Sequence, residues 1–200
     1  MDLFGADPAA NLLPRDGEVF YHGAVVSGAD CAGLLAALLR EIPWQHDVTM
    51  MFGKRIVTAR KVAWYADGGA SYSYSGTTKQ AHPWSDLLLG LKQAAEQRTG
   101  AEYNSCLLNL YHGGDEGMGW HSDDEKEIVE GSSIASLSFG AERKFSFKHK
   151  LTKETVSVVL EDGSLLDMRG QTQRCWLHQL PKTKKVSAPR ANLTFRRLVC

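Results

Sequence analysis

SCLLNLY (residues 105–111), SIASLSF (133–139), KFSFKHK (144–150), TVSVVLEDGSLLDM (155–168), QRCWLHQLP (173–181) and RANLTFRRLV (190–199) are the stretches that decide the fold. From Asn104 onward the chain breaks into short runs rich in β-branched, aromatic and leucine residues, separated by turn residues such as HGGDEG (112–117) and LEDG (160–163). Many short strands in this pattern suggest a sandwich or barrel, with the helices bracing one side. The class read from the pattern is α+β, mainly β.

The last run shows how such a strand is used. In PRANLTFRR (189–197), Arg190, Asn192, Thr194 and Arg196 alternate with Ala191, Leu193 and Phe195, so one face is polar and cationic and the other apolar. Two arginines on one inward face are costly to bury unless an anion meets them, and arginine binds carboxylates through its planar fork. A small dicarboxylate meets that need; internal salt bridges to Asp162 or Asp167 are the alternative. Asn109 and Tyr111 share a face of the first run and offer an amide and a phenol to the same ligand.

Between these runs lies MGWHSDDE (118–125). His121 and Asp123 are two residues apart, which places both on one face of an extended segment, and His178 from a later strand completes two histidines and one carboxylate. That set leaves open positions on iron for oxygen chemistry, and it also suits a hydrolytic zinc. Seven histidines and twelve aspartates in 200 residues give roughly 0.4 chance matches to the spacing, so the motif decides little alone. The arginine face favours iron with a dicarboxylate. His22, His46, His82, His112 and His149 lack such partners in sequence and read as structural or surface groups.

Upstream, Gly17 to Val26 reads as a short strand. Ala29 to Arg40 reads as a helix capped by Ser27, with Leu34, Leu35, Leu38 and Leu39 at helical spacing and a stop near Pro43. A second helix runs from Ser85 to Arg98, with Leu87, Leu88 and Leu91 on its apolar face and Gly100 beyond its end. Between them VTMMFGKRI, KVAW and SYSYSG read as strands or hairpins.

Composition bounds the class. A chain of 200 residues with 43% hydrophobic and 23% charged residues is globular and fits one domain. Its formal net charge of zero supplies no global field toward nucleic acid. Any such binding needs local patches: Lys54, Arg55, Arg60 and Lys61; Arg143, Lys144, Lys148 and Lys150; Lys182, Lys184 and Lys185. Four scattered cysteines form no CxxC pair, and no run has the length of a signal core or a membrane span, so the reading is a reduced, cytoplasmic protein with no membrane partner.

MFGK, ARK, SYSYSG, NLYHGG, HSDDE, SIASLSFGA, GSLL, WLHQLPK and PRANLTFR, in this order from Met51 to Val199, resemble the AlkB family, and within it the branch acting on alkylated duplex DNA. The resemblance implies a double-stranded β-helix of the jelly-roll kind over about 104–199 within a single domain 1–200, with 44–76 as the nucleotide-recognition region. It implies Fe(II) on His121, Asp123 and His178, and 2-oxoglutarate held by Asn109, Tyr111, Arg190, Asn192 and Arg196, with Arg190 on the distal carboxylate and Arg196 nearer the metal.

The implied activity is O2-dependent oxidative dealkylation of bases such as 1-methyladenine and 3-methylcytosine, releasing formaldehyde, succinate and CO2. A base in duplex must leave the stack for this chemistry. The resemblance assigns Phe52, with Met51 and Gly53, to a finger that fills the gap; Tyr74 to stacking on the flipped base; and Tyr72 to its edge. It places Arg60 in the recognition region, and Glu125, with Asp124 as second candidate, beside a base made cationic by alkylation.

Two positions depart from the branch: Tyr74 stands where phenylalanine is usual, and the chain between Lys148 and Thr155 is shorter than a loop that grips a second strand. The partner is therefore alkylated DNA acted on by a monomer, with single-stranded DNA or RNA as alternatives. The same chemistry on RNA, a protein or a small molecule is the second enzymatic reading, and a non-catalytic nucleic-acid-binding module is the reading from another class.

Overall fold

A computed structural model of the chain describes residues 9–51, 54–69, 71–74 and 77–199. After β1 (Glu18–Ala24) and α1 (Gly28–Glu41) come β2 (Gln45–Met51), β3 (Lys54–Ala66), β4 (Ser71–Tyr74), β5 (Thr77–Gln80) and α2 (Asp86–Thr99). The second half adds β6 (Ser105–Tyr111), β7 (Met118–His121), β8 (Ile134–Gly140), β9 (Arg143–His149), β10 (Thr155–Leu160) and β11 (Ser164–Arg169), then α3 (Thr172–Cys175), β12 (Trp176–Leu180) and β13 (Arg190–Arg196).

The strands form a seven-stranded sheet in the order β1-β11-β8-β13-β6-β3-β2, a four-stranded sheet in the order β10-β9-β12-β7, and the ribbon β4-β5. The pairings within these sheets are antiparallel, as expected where turns link short strands. Strand β2 pairs with β3, and β3 in turn pairs with β6 and extends the large sheet. Among the described residues no helix is long and apolar enough to cross a membrane.

Strand β13 sits at the centre of the large sheet, between β6 and β8. Side chains alternate along it, so Ala191, Leu193 and Phe195 pack on one face with Cys106, Leu108, Leu137, Leu38, Leu88 and Leu91, the core beneath the helices. The other face turns to the four-stranded sheet, where Tyr111, Ile134, Leu166 and Met168 meet Phe145, Phe147, Trp176 and Leu180. With both faces covered, the polar residues of β13 are enclosed between two sheets.

Helix α2 follows its sequence signals closely: Leu88 N donates to Ser85 Oγ at 3.4 Å, and Gly100 takes the left-handed conformation at φ 69° that ends it. Helix α1 differs in two details. Ser27 occupies the capping position, but its hydroxyl donates to Asp30 Oδ2 at 2.6 Å instead of accepting from the backbone. Leu39 is 38% exposed, because the stripe that turns toward the sheet is carried by Cys31 and Leu38 with Leu34 and Leu35 beside them. The run QRCWLHQLP also divides: Thr172–Cys175 forms one helical turn, and the strand begins at Trp176.

Candidate metal and co-substrate site

Register brings the two histidines together. Strand β12 pairs with β7 so that His178 stands opposite His121, and opposed residues of an antiparallel pair share a face. Their ring centroids lie 4.2 Å apart at 64°. Phe145 stacks on His178 at 5.5 Å, and Phe147 closes the same side at 6.3 Å.

Asp123 arrives differently from the sequence reading. Strand β7 ends at His121, so His121 and Asp123 do not share a strand face. The loop beyond the strand is held from two sides instead: Asp123 N donates to Gln173 Oε1 at 2.9 Å, and Arg196 donates to Asp123 Oδ2 at 2.6 Å from Nη2 and 3.2 Å from Nε. The other oxygen, Oδ1, then lies 3.8 Å from Nε2 of both His121 and His178. The three ligand atoms all fall within 4.8 Å of one another.

The protonation states suit a cation. Burial works to raise the Asp123 carboxyl, but Arg196 and the two histidines outweigh it and hold it at about 2. Burial pushes His178 down to about 3 against the pull of Asp123, so its imidazole is neutral, the metal-binding form. His121 Nδ1 lies 2.8 Å from Gly119 O; a proton there leaves the Nε2 lone pair directed at Asp123. The two histidines, the carboxylate and their neighbours thus form a preorganised set for a divalent ion.

At the start of β13, Arg190 is 2% exposed. Its Nη2 donates to Ser138 Oγ at 2.8 Å and its guanidinium lies 5.7 Å over the Tyr111 ring, yet Nε has no acceptor. Burial lowers it to about 10, Tyr111 opposing and Arg143 adding to the shift. The internal carboxylates that sequence offered are engaged elsewhere: Asp162 accepts from Gly140 N at 2.8 Å, and Asp167 accepts from Ser133 and Arg169. Asn109 Oδ1 is likewise buried without a partner. Asn192 is braced within the sheet by Ser136 Oγ at 2.8 Å, Leu137 O at 3.1 Å and Thr194 Oγ1 at 3.2 Å. Arg190 and Arg196 share a face, but Arg196 is committed to Asp123 while the buried Arg190 Nε has no acceptor among the described residues.

Of the residues read as facing a base, Arg60 is half-buried and paired, Nη2 donating to Asp47 Oδ2 at 2.8 Å and Nη1 lying 3.0 Å from Met118 Sδ. Asp124 is exposed, 3.9 Å from Lys150 Nζ. Glu125 Oε2 is buried without a partner, and burial raises its carboxyl while Arg196 opposes. A cleft of about 810 Å³ opens beside them, lined by Asp123, Asp124, Glu125, Lys150, Met168 and Gln173 among others. Tyr72 and Tyr74 lie on β4, opposite Lys79 and Thr77 of β5, and their side chains are outside what is described. Phe52 lies outside the described residues.

Three features escaped the sequence reading. Arg143, grouped with surface lysines, is buried and donates to the carbonyls of Gly113 (3.2 Å), Glu116 (2.9 Å) and Pro181 (2.7 Å), tying together the loops at the Arg190 end. Its parity with Phe145 and Phe147 was the available signal. Ser136 and Ser138 alternate with Ala135, Leu137 and Phe139 in the same way and brace Asn192 and Arg190. Gln173 carried no signal in its neighbourhood.

A family model described as the 2OG-Fe(II) oxygenase superfamily matches residues 18–196. DNA oxidative demethylase ALKBH2 of Bos taurus is 43% identical over 157 residues, covering 74% of this chain and 56% of that protein. The Homo sapiens protein of the same name is 43% identical over 157 residues, covering 74% and 60%. Alpha-ketoglutarate-dependent dioxygenase alkB homolog 3 of Homo sapiens is 38% identical over 173 residues, covering 82% and 60%. The chain thus spans 56% to 60% of the length of these relatives. The solved structure titled "The structure of OsALKBH1" superposes with a TM-score of 0.64 at 15% identity, covering 92% of this chain and 99% of that one, a likeness of fold.

Proposed function

We propose, since the chain belongs to the AlkB family within the 2OG-Fe(II) oxygenase superfamily, that it oxidatively removes alkyl groups from ring nitrogens of DNA bases such as 1-methyladenine and 3-methylcytosine. The observation that carries this reading is the pairing of two sites. His121, Asp123 and His178 converge on one point, and the enclosed Arg190, on the same face of β13 as the Arg196 that grips Asp123, has an unused donor and no carboxylate partner among the described residues. Relatives named as DNA oxidative demethylases support the substrate class.

The residues present fit both groups that this reading requires. Two imidazoles and one carboxylate suit Fe(II), and the orphaned Arg190 Nε–H suits an incoming carboxylate better than a closed protein network does. A hydrolytic zinc leaves that buried arginine unexplained. When bound, Fe(II), 2-oxoglutarate and O2 supply the oxidation that hydroxylates a nitrogen-bound alkyl carbon, with succinate and CO2 as co-products.

The chain's own residues then have separable tasks. His121, Asp123 and His178 would hold the metal, and Arg196, by occupying Asp123 Oδ2, leaves Oδ1 turned to the histidines. Arg190, Tyr111 and the Asn109 amide N–H would hold the far carboxylate of 2-oxoglutarate, Ser138 fixing the arginine fork, while Asn192, whose amide is spent on Ser136 and Leu137, braces the strand that carries Arg190. Phe145 and Phe147 keep water from His178. Glu125 offers an unpartnered buried oxygen to a base that alkylation has made cationic, a charge complement worth most in a dry site. The hydroxylated alkyl group leaves the nitrogen as formaldehyde, and the base is restored without strand cleavage.

The test is incubation with oligonucleotides carrying 1-methyladenine or 3-methylcytosine, in single-stranded DNA, duplex DNA and RNA, with Fe(II), ascorbate and 2-oxoglutarate. Formaldehyde and succinate should form together, with DNA preferred over RNA. Turnover that persists in His121→Ala would refute the mechanism, and indifference to all three nucleic acids would move the same chemistry to another substrate.

A further inference from the structure

The single helical turn α3 stands between the end of β11 and β12, and it touches the metal loop. Gln173 Oε1 accepts the Asp123 amide at 2.9 Å. Its Nε2 reaches Met168 Sδ at 3.4 Å, and its main-chain carbonyl accepts Lys150 Nζ at 2.9 Å. The turn itself is anchored by the neighbouring Thr172, which is buried and whose hydroxyl accepts from Glu18 N at 2.8 Å and donates to Arg169 O at 2.6 Å. Five residues after Gln173 the same segment carries His178.

Asp123 lies past the end of β7, where the strand ladder no longer supplies an acceptor for its N–H. A buried main-chain donor requires one. Arg196 holds the carboxylate from the β13 side, and one residue earlier Ser122 Oγ donates to Trp176 O at 3.3 Å, but neither contact satisfies the Asp123 N–H. Gln173 supplies that acceptor and ties the Asp123 backbone itself to α3.

We propose that Gln173 is a positioning residue for the metal: α3 couples Asp123, on the loop after β7, to His178, on β12, so that carboxylate and imidazole are held in register by one anchored segment. This rests on reading His121, Asp123 and His178 as the metal ligands. Partners that orient metal ligands without touching the metal typically change metal affinity by roughly 10- to 100-fold when removed.

The experiment titrates Mn(II), a redox-stable probe for the Fe(II) site, into the metal-stripped full chain by calorimetry, for the parent, Gln173→Met, Gln173→Glu and His178→Ala. Methionine keeps the length of glutamine and removes the acceptor; glutamate keeps the acceptor oxygen. The parent should bind one ion and His178→Ala should lose it. Gln173→Met should weaken binding roughly 10- to 100-fold, with faster hydrogen exchange across residues 118–125 and a melting temperature of the metal-stripped protein near the parent's. Gln173→Glu should recover most of the affinity.

A parent that binds no Mn(II) overturns the metal reading and the inference together. A parent that binds, with Gln173→Met binding equally well, overturns the inference alone. Should Gln173→Met fail to fold, Gln173→Glu decides: affinity near the parent's supports the acceptor role, and a loss of 10-fold or more overturns it.

Discussion

Replacing Arg190 by methionine should have opposite effects on the free protein and on its complex with 2-oxoglutarate. In the free protein the guanidinium is enclosed between two sheets with a hydrogen bond to Ser138 and, among the described residues, one nitrogen without an acceptor and no carboxylate partner. The Ser138 bond is worth about 1 kcal/mol. Desolvation of an ion costs several kcal/mol after relaxation, so an apolar side chain of similar length should leave the melting temperature unchanged or raise it. In the complex the same guanidinium would face the distal carboxylate, and truncating one partner of a buried charge pair costs about 2–5 kcal/mol. At 1.4 kcal/mol per decade that is a loss of roughly 30-fold to several thousand-fold in affinity. Calorimetry of 2-oxoglutarate binding with Mn(II) present measures the loss, and melting with and without 2-oxoglutarate measures both effects, because a ligand of the native state stabilises it by an amount that grows with the logarithm of its concentration over Kd. Parent-like binding of 2-oxoglutarate by Arg190→Met would refute the assignment. A large fall in the free protein's stability would show instead that Arg190 is a structural brace.

Arg196→Met should destabilise the metal-free protein by about 3–5 kcal/mol, because it leaves Asp123 buried without its closest partner. In the parent the Asp123 carboxyl, at about 2 in place of 3.8, contributes stability that is fully present above pH 4 and lost as pH falls toward 2. Acid melts should show that loss shrink or reverse in the variant, because burial is then less opposed and favours the protonated Asp123 in the folded state, and superimposable acid limbs would refute the coupling. Gly114→Ala should cost about 1–3 kcal/mol in the urea midpoint, since its Cβ would stand 2.3 Å from Thr183 O and 2.7 Å from Val186 O, both main-chain atoms. Leu193→Ala, at a fully buried site under the helices, should cost about 2–5 kcal/mol. Val159→Ser, exposed on β10, should stay within about 0.5 kcal/mol. Equal midpoints for those two variants would misplace the core.

The strand-rich half was legible because alternation is a local property that tertiary packing preserves. SCLLNLY is β6 to the residue, and the two faces read from PRANLTFRR are the two faces of β13. The helix ends at Ser85 and Gly100 were legible for the same reason, being set by a hydroxyl within reach of a backbone N–H and by a left-handed glycine. The breaks came where a long-range contact overrode the local pattern. The residues Thr172–Cys175 form a helical turn where Thr172 and Gln173 find partners on β1, just past β9 and on the metal loop, all of them distant in sequence.

The site divides along the same line. That two histidines and a carboxylate meet follows from their residue types and from strands that pair, His178 with His121. How Asp123 reaches them does not follow, because the residue lies beyond its strand and is aimed by Arg196 from β13 and Gln173 from α3. A parity argument puts Arg190 and Arg196 together on one face and gives them one task. Distance along the strand gives them two, since six residues at about 3.4 Å each place their Cα atoms roughly 20 Å apart. A ligand as short as a five-carbon diacid reaches from the metal toward one of them only, and the other is left to fix the carboxylate of the metal set. Arg196 is already in that position, with Asp123 Oδ2 at 2.6 Å. Arg190 is therefore the residue whose charge awaits a partner.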